Sequence, residues 1–486
     1  MFKYIIKRIF IFIPTLLVVS LLTFGLSSIA PGDPVEQMLT SQSGEGSSAN
    51  LQANEQAYMD KRKELGLDLP IFYFSFGQKA IPDTLHLVPK RAHRENLERL
   101  IDKHGNWPQI SDYYYNLKDF ERTLYNVERD SLNETALINA KDAIKGLYAS
   151  YDNIDTKKHF DDLSNAMSVG SLTNIKSELT KLQATHNTME TQETKWKKWV
   201  PSFKFYGLQN RYHQWFFGDK PWFGKDDGTW RSAGFLRGDF GISYKDQRPV
   251  STVLWEAIRW TFGINIVAIF ITYIIAIPLG IFSARNKGSA FDQIITTILF
   301  LLFALPSFWI ATLMIIYLCG GDYFDWFPPF FRPDLSGGFF NDFKELAYYL
   351  CLPLICWTYS SFAYLSRQMR GGMLAVLGED YIRTAKAKGL SNASITWKHA
   401  LRNSLLPIIT IFASIFPRAI GGSIIIEIIF SIPGMGKVGY EAVVARNYPI
   451  VFAVMMFAAI LTLVGYLVAD ILYAVVDPRI SFNNKK

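Results

Sequence analysis

Between residues 378 and 407 the chain gathers Arg383, Thr384, Lys386, Lys388, His399 and Arg402 around the small residues Ala385 and Gly389. Cations at this spacing suit binding rather than bond-making. They can pair with the carboxylates of a partner protein or with anionic lipid headgroups, and the residue pattern leaves both open. A second set lies inside apolar sequence: Arg418, Glu427 and Asp470. A charge at membrane depth is costly and usually faces a partner or a wet cavity, so these three are read as lining a passage. The alternatives are an ion pair between Arg418 and Glu427, a Glu427 at the outer interface, or an Asp470 that only bonds a neighbouring helix. Arg418 and Glu427 are about half a turn out of phase on an ideal helix, and Gly421-Gly422 between them could bend that geometry.

The chemistry of hydrolytic enzymes is missing. Gly434-Met435-Gly436-Lys437 is the nearest approach to a phosphate-binding loop, but Val438 stands where Ser or Thr must meet Mg²⁺, and Ser431 where the first Gly is needed. No HExxH or GxSxG occurs. The three cysteines, Cys319, Cys351 and Cys356, lie in or beside apolar sequence, which excludes a disulfide-stapled external domain and suggests no metal site. The expectation is a chain that is not an enzyme and carries no cofactor. The net charge of +7 is no sign of nucleic-acid binding, because the basic residues sit beside apolar stretches.

The elements that must hold these groups follow from hydropathy. Hydrophobic residues make up 49% of the 486, but they cluster at about 9–29, 262–284, 294–318, 346–365, 405–430 and 450–476. A bilayer core of about 30 Å needs about 20 helical residues, and six stretches reach that length. The fold class expected is therefore an all-α polytopic membrane protein with six spans. Fifteen basic residues, among them Lys3, Arg8, Arg285, Lys287 and Arg367 through Arg402, fall on one side of this topology, against four on the other. The positive-inside rule then places both termini in the cytoplasm. The first stretch is too long for a cleaved signal and ends in Ala30-Pro31, so it is expected to stay as a span with Pro14 near its cytoplasmic end.

The region from about 75 to 206 is polar, charge-balanced and helical in its spacing. Breaks are expected at Asp130–Glu134 and at Gly170–Thr173. A solvated helical bundle and a docking platform are both compatible with it. Tyr113-Tyr114-Tyr115 and the aromatic run at 215–230 can be contact surface, core or membrane-face belt. On the opposite side of the membrane, 381–388 reads as a short amphipathic helix stopped by Gly389. Ser391 is the expected N-cap of a second helix, 392–403, leading to Pro407.

These residues carry a resemblance. Arg383-Thr384-Ala385-Lys386-Ala387-Lys388-Gly389 with His399-Ala400-Leu401-Arg402 resembles the coupling loop of ABC importer permeases, in the form of the dipeptide, oligopeptide and nickel subfamily. Arg383 replaces the usual Glu, a departure normal for that subfamily. Collinear with it are Ala30-Pro31-Gly32-Asp33-Pro34, Leu65-Gly66-Leu67-Asp68-Leu69-Pro70, Arg237-Gly238-Asp239-Phe240-Gly241, the run Glu427-Ile428-Ile429-Phe430-Ser431-Ile432-Pro433-Gly434, and Asp477-Pro478-Arg479. The resemblance covers about 1–74 and 234–480 and implies the type-B permease subunit with a large external-loop insertion. The expected domains are 1–74 (first span and start of the external loop), 75–233 (mostly helical external insertion) and 234–486 (five spans, with a coupling loop at about 366–405).

The resemblance also implies partners: a second permease, two cytoplasmic ABC ATPases that hydrolyse the ATP, an extracytoplasmic substrate-binding protein, and the lipid bilayer of a bacterial inner membrane. Arg383, Thr384, Ala385, Lys386, Lys388, Gly389, His399 and Arg402 become the ATPase-coupling set, with Ala385 and Gly389 on one face permitting close approach. Arg418, Glu427 and Asp470 become pathway residues, the first two meeting the termini of a peptide. Nickel chelates or other small solutes are the alternative cargo. A proton-coupled carrier using Glu427 and Asp470 is the alternative mechanism.

Overall fold

The computed structural model describes residues 2–29, 34–35, 38, 51–88, 90–127, 133–222, 232–319, 323–420 and 423–476. The motifs at 30–33 and 477–479, the aromatic positions 223–230, residues 130–132 and Gly421-Gly422 lie outside them. The chain divides into two compact units, Met1–Pro34 with Ser232–Lys486, and Val35–Arg231.

Helix α1, Phe2–Ile29, is apolar on nearly every side and contains Pro14. In the second unit come α2 (Leu51–Glu64), strand β1 (Phe74–Gln78), then α3 (Arg91–His104), α4 (Trp107–Tyr125), α5 (Glu134–Ala149), α6 (Asn153–Ala166) and α7 (Lys176–Thr191). Strand β2 (Pro201–Phe205) returns antiparallel to β1, and the short α8 (Arg211–Phe216) follows. Helices α3 to α7 share one core because each places apolar residues three and four apart. In α4 the buried side chains are Ile110, Tyr113, Tyr114, Leu117, Phe120 and Leu124. They meet Leu137, Ile144 and Leu147 of α5 and Leu163 of α6. Tyr113 and Tyr114 are thus core, whereas Tyr115 is exposed. Gly170–Ile175 forms a tight helical turn that leads into α7, at the expected break.

The first unit continues with α9 (Val250–Arg285), α10 (Ala290–Ala304), α11 (Ser307–Leu318), α12 (Phe339–Leu377), α13 (Asp380–Ala387), α14 (Leu401–Ile420), α15 (Ile424–Ile429), α16 (Met435–Val444) and α17 (Tyr448–Val476). The fold is helical and membrane-embedded, as expected, yet the spans differ in form. Among the described residues, four helices are long and apolar enough to cross a bilayer: Tyr4–Ser28, Val250–Arg285, Phe339–Leu377 and Tyr448–Val468. The expected span at 294–318 is two helices bent by 92° at Leu305-Pro306. Pro306 cannot donate a helical hydrogen bond and forces its predecessor into extended backbone. The expected span at 405–430 is likewise divided into α14 and α15.

Helices α9 and α12 approach closely. Ser366 Oγ donates to Ala276 O at 3.1 Å. A Cβ on Gly280 would stand 2.6 Å from Met369 Cβ. Small residues at such crossings let backbones meet where lipid supplies no hydrophobic drive. Outward faces stay apolar: Leu22, Leu26, Phe270 and Ile274 are exposed in this single chain.

Candidate functional site

The cationic segment forms a helical hairpin. Helix α13 is amphipathic, burying Ile382 and Ala385 and exposing Arg383, Thr384, Lys386 and Lys388. Arg383 Nη1 pairs with Asp380 at 3.3 Å, and Thr384 Oγ1 donates to Asp380 O at 3.0 Å. Gly389 ends the helix at φ +76°. Its N–H donates to Lys386 O at 3.0 Å, and Leu390 N–H reaches back to Ala385 O at 3.3 Å. This paired capping needs a left-handed residue, which glycine adopts without steric cost. Ser391 then caps the next turn, its Oγ accepting from Ser394 N at 3.2 Å.

The second leg is not the plain helix expected over 392–403. After Asn392–Ser394 the backbone widens into a π-helical stretch at Ile395–Ala400, then runs into α14 without a break. Asn403 Nδ2 donates to Tyr381 Oη at 2.8 Å and ties the legs together. His399 is half-buried and Arg402 exposed.

Within the coupling set, Ala385 and Gly389 do not share an outward face: Ala385 sits in a core with Ile382, Ile395 and Ala400 of the hairpin, Ala276 and Ile281 of α9, Met369 and Met373 of α12, and Ile408 of α14. Its small size serves the hairpin's own seating. Gly389 is exposed with open space around it in this chain, and its positive φ favours glycine there.

Sequence reasoning missed the polar joint beside this core. Arg370 of α12 makes a two-pronged contact with Asp292 of α10, Nε to Oδ1 at 2.8 Å and Nη2 to Oδ2 at 2.7 Å. Ser283 of α9 donates to the same carboxylate, and Gly288 N–H adds a bond of 2.9 Å. Asp292 is buried at the first turn of α10, whose N-cap Ser289 accepts Asp292 N–H. A lone Asp opening an apolar run is the signal that could have found it.

The intramembrane trio is dispersed. Glu427 has no exposed surface. Thr261 Oγ1 of α9 donates to its Oε1 at 3.1 Å, and Lys437 N–H donates to its Oε2 at 2.9 Å. Thr261 Oγ1 in turn accepts Met435 N–H at 2.8 Å. Gly434 occupies the N-cap of α16 and has no side chain, so Glu427 supplies the capping carboxylate from a distance. A Cβ on Gly434 would fall 2.5 Å from the Glu427 carboxyl carbon, and one on Gly436 would fall 2.9 Å from its oxygen. In this single chain its oxygens are held by backbone and Thr261. Asp470 pairs with Arg8 Nη2 of α1 at 2.8 Å and accepts from Tyr4 Oη at 2.8 Å. It ties α1 to α17. The Arg418 side chain lies outside the described residues.

With this geometry set out, relatives give it context. The family described as binding-protein-dependent transport system inner membrane component matches residues 276–482. The oligopeptide transport system permease protein AppB of Bacillus subtilis (strain 168) is 40% identical over 248 residues, covering 51% of this chain and 77% of that protein. The chain belongs to this permease family. The inner membrane ABC transporter permease protein YejB of Escherichia coli O157:H7 is 34% identical, over 52% of this chain and 70% of its own length. The dipeptide transport system permease protein DppB of Haemophilus influenzae is 36% identical, over 50% and 78%. In this permease the matched stretch 276–482 contains the hairpin, the Asp292–Arg370 joint, Glu427 and Asp470.

Proposed function

We propose that the chain is one of two membrane-spanning subunits of an ATP-driven importer of peptides, and that the α13 hairpin receives the mechanical stroke from an ATPase. One observation carries the reading: the hairpin's outer face is cationic and exposed, while its inner face shares a single core with α9, α12 and α14. A push on such an element moves three helices together, because a packed interior transmits displacement instead of absorbing it. Arg383, Lys386, Lys388 and Arg402 present the charges that acidic groups of an ATPase would meet. His399 and Thr384 complete the contact face, which is cytoplasmic together with both termini.

The relatives named for oligopeptide and dipeptide transport support peptide as the cargo class. The apolar outer faces of α1 and α9 suit a second permease subunit and lipid. ATP hydrolysis belongs to two partner subunits, and a binding protein delivers solute from outside. Arg418, Glu427 and Asp470, ionisable groups in apolar sequence, are assigned to the borders of the passage. Reversing charge with Arg383→Glu and Lys388→Glu is expected to lower peptide uptake by about tenfold or more while the subunits still copurify, since like charges across an interface cost several kcal/mol. Uptake and ATP turnover equal to wild type would remove the hairpin from the coupling path.

A further inference from the structure

The β1–β2 ribbon carries its polarity inside out. Residues paired across an antiparallel ladder share a face. Phe74 opposes Phe205 and Phe76 opposes Phe203, so four phenyl rings form one plate. Three of the rings touch, with centroids 6.1 Å apart for Phe74–Phe76, 5.9 Å for Phe74–Phe203 and 5.0 Å for Phe76–Phe203, and Phe205 stands opposite Phe74 in the ladder. Even so, they are 51%, 76%, 58% and 72% exposed for Phe74, Phe76, Phe203 and Phe205. At about 200 Å² per ring this leaves roughly 500 Å² of aromatic surface on one face of the ribbon, at the upper end of what a soluble surface normally shows.

The opposite side of the ribbon is the polar one. Ser75 Oγ lies 2.8 Å from Tyr206 Oη, which donates to Asp83 Oδ1 at 2.7 Å. Lys204 Nζ meets Asp83 Oδ2 at 2.9 Å. A strand with one solvated face ordinarily turns its aromatic residues to the core and its Ser and Lys to water. Here the helical bundle is complete without the phenyl rings, since none of the four belongs to its core.

The plate has a rim. Beyond its Gln78/Pro201 end the chain reads Lys195-Trp196-Lys197-Lys198-Trp199, with Trp196 and Trp199 57% and 80% exposed. Lys79 N–H donates to Val200 O at 2.9 Å, continuing the ladder to this turn, and Lys79 Nζ lies 5.7 Å from the Trp196 ring. Phenyl rings bordered by indoles and lysines match the layered polarity of a lipid surface: acyl chains, then carbonyls, then anionic headgroups. Lys195 pairs with Glu193 at 2.7 Å and Lys198 with Asp102 at 3.5 Å, and Lys79 and Lys197 complement phosphate charge, which a plain protein-binding apolar patch would not require. Both strands lie on the stretches that lead from α1 into the bundle and from the bundle toward α9, so the plate is tethered to membrane helices at both ends.

We propose that the Phe74/Phe76/Phe203/Phe205 plate seats in the headgroup–acyl boundary of the bilayer that this same chain spans, with Trp196, Trp199 and their lysines at headgroup level. The proposal is independent of what the permease carries. It is tested with the full chain in phosphatidylethanolamine/phosphatidylglycerol vesicles, bearing a benzophenone amino acid in place of Phe76, of Phe203 or, as a reference, of Ile154, which is 77% exposed on α6. Lipid adducts at the two ribbon positions are expected to exceed those at Ile154 by about fivefold, in keeping with burial of about 5–10 Å into the interface. Equal yields, or crosslinks that run to a second copy or another protein, would overturn it. A second measurement needs no substitution. Hydroxyl-radical oxidation of the four phenylalanines is expected to drop about threefold on passing from amphipol to vesicles, with Tyr115 and Tyr151 unchanged, because the plate meets the bilayer and these two tyrosines of the bundle do not. Unchanged oxidation of the plate would also overturn it.

Discussion

Glu427 shows how a residue's chemistry depends on who its neighbours are. The sequence offers Gly434-Met435-Gly436-Lys437 as an incomplete phosphate loop, and the segment does bind an anion, but the anion is the chain's own carboxylate. The N–H groups at the start of α16 attract negative charge whatever its source. Glu427→Gln puts an amide NH₂ among donors, so the first turn of α16 is expected to lose about 1–3 kcal/mol, the cost of an unmade buried bond. Hydrogen exchange at Gly436 and Lys437 would then speed up; unchanged exchange would show that the carboxylate is not the cap. The Asp292–Arg370 pair makes a parallel case. Removing one partner strands a half-buried charge, so Asp292→Ala or Arg370→Met should each destabilise by about 3 kcal/mol, and the double variant by less than the two together. Additive losses in a thermal double-mutant cycle would mean that the two groups act separately.

At the scale of the element, the hairpin is legible up to its turn. Amphipathic spacing marks α13, glycine marks its end, and Ser391 marks the next start, because each rests on interactions within a few residues. The π-helical stretch at Ile395–Ala400 left no such mark, since its register is set by seating Ile395 and Ala400 against Met369 and Ile408. The 92° bend between α10 and α11 was announced only by Pro306; hydropathy saw one apolar run and could not see a corner. A further prediction belongs here. Gly389→Val should cost about 1–2 kcal/mol because its φ of +76° is a left-handed conformation, while Gly389→Asn should be tolerated. Amide exchange across Asp380–Ala387 distinguishes these outcomes, and equal behaviour of the two variants would refute the turn argument.

For the whole molecule, the two units obey different solvents. The membrane unit leaves apolar faces outward, whereas helices α3 to α7 of the Val35–Arg231 unit turn their apolar side chains into a shared core. That bundle carries a pH dependence. His93 is buried, stacked on Tyr148 at 4.0 Å and bonded to Tyr114 Oη at 3.2 Å. Burial, then the charges of Lys90 and Lys118, push its pKa down to about 4. Between pH 6.5 and 4 the unfolded chain therefore holds the extra proton, so stability is full above about pH 6.5 and falls as pH drops toward 4, by about 2–3 kcal/mol. Exchange of α3–α5 amides in the purified chain should accelerate between pH 7 and 4.5 after correction for intrinsic rates, and His93→Phe should flatten that change. A wild type with the same protection at both values would contradict it.

Composition and periodicity alone determined that this chain is a helical membrane protein with a long polar region and a basic, glycine-stopped amphipathic helix. Those features are written in local hydropathy, charge and capping, which act over a turn or two of chain. The tertiary structure alone decided that Ala385 points inward, that Glu427 caps a helix, that Asp470 clamps α1 to α17, that Asp292 meets Arg370, and that four phenylalanines face outward from a polar-backed ribbon. Each of these depends on groups far apart in sequence arriving within a few ångströms of one another. The free energy of a buried polar or aromatic group is set by the partner it meets there, and residue type by itself does not name that partner.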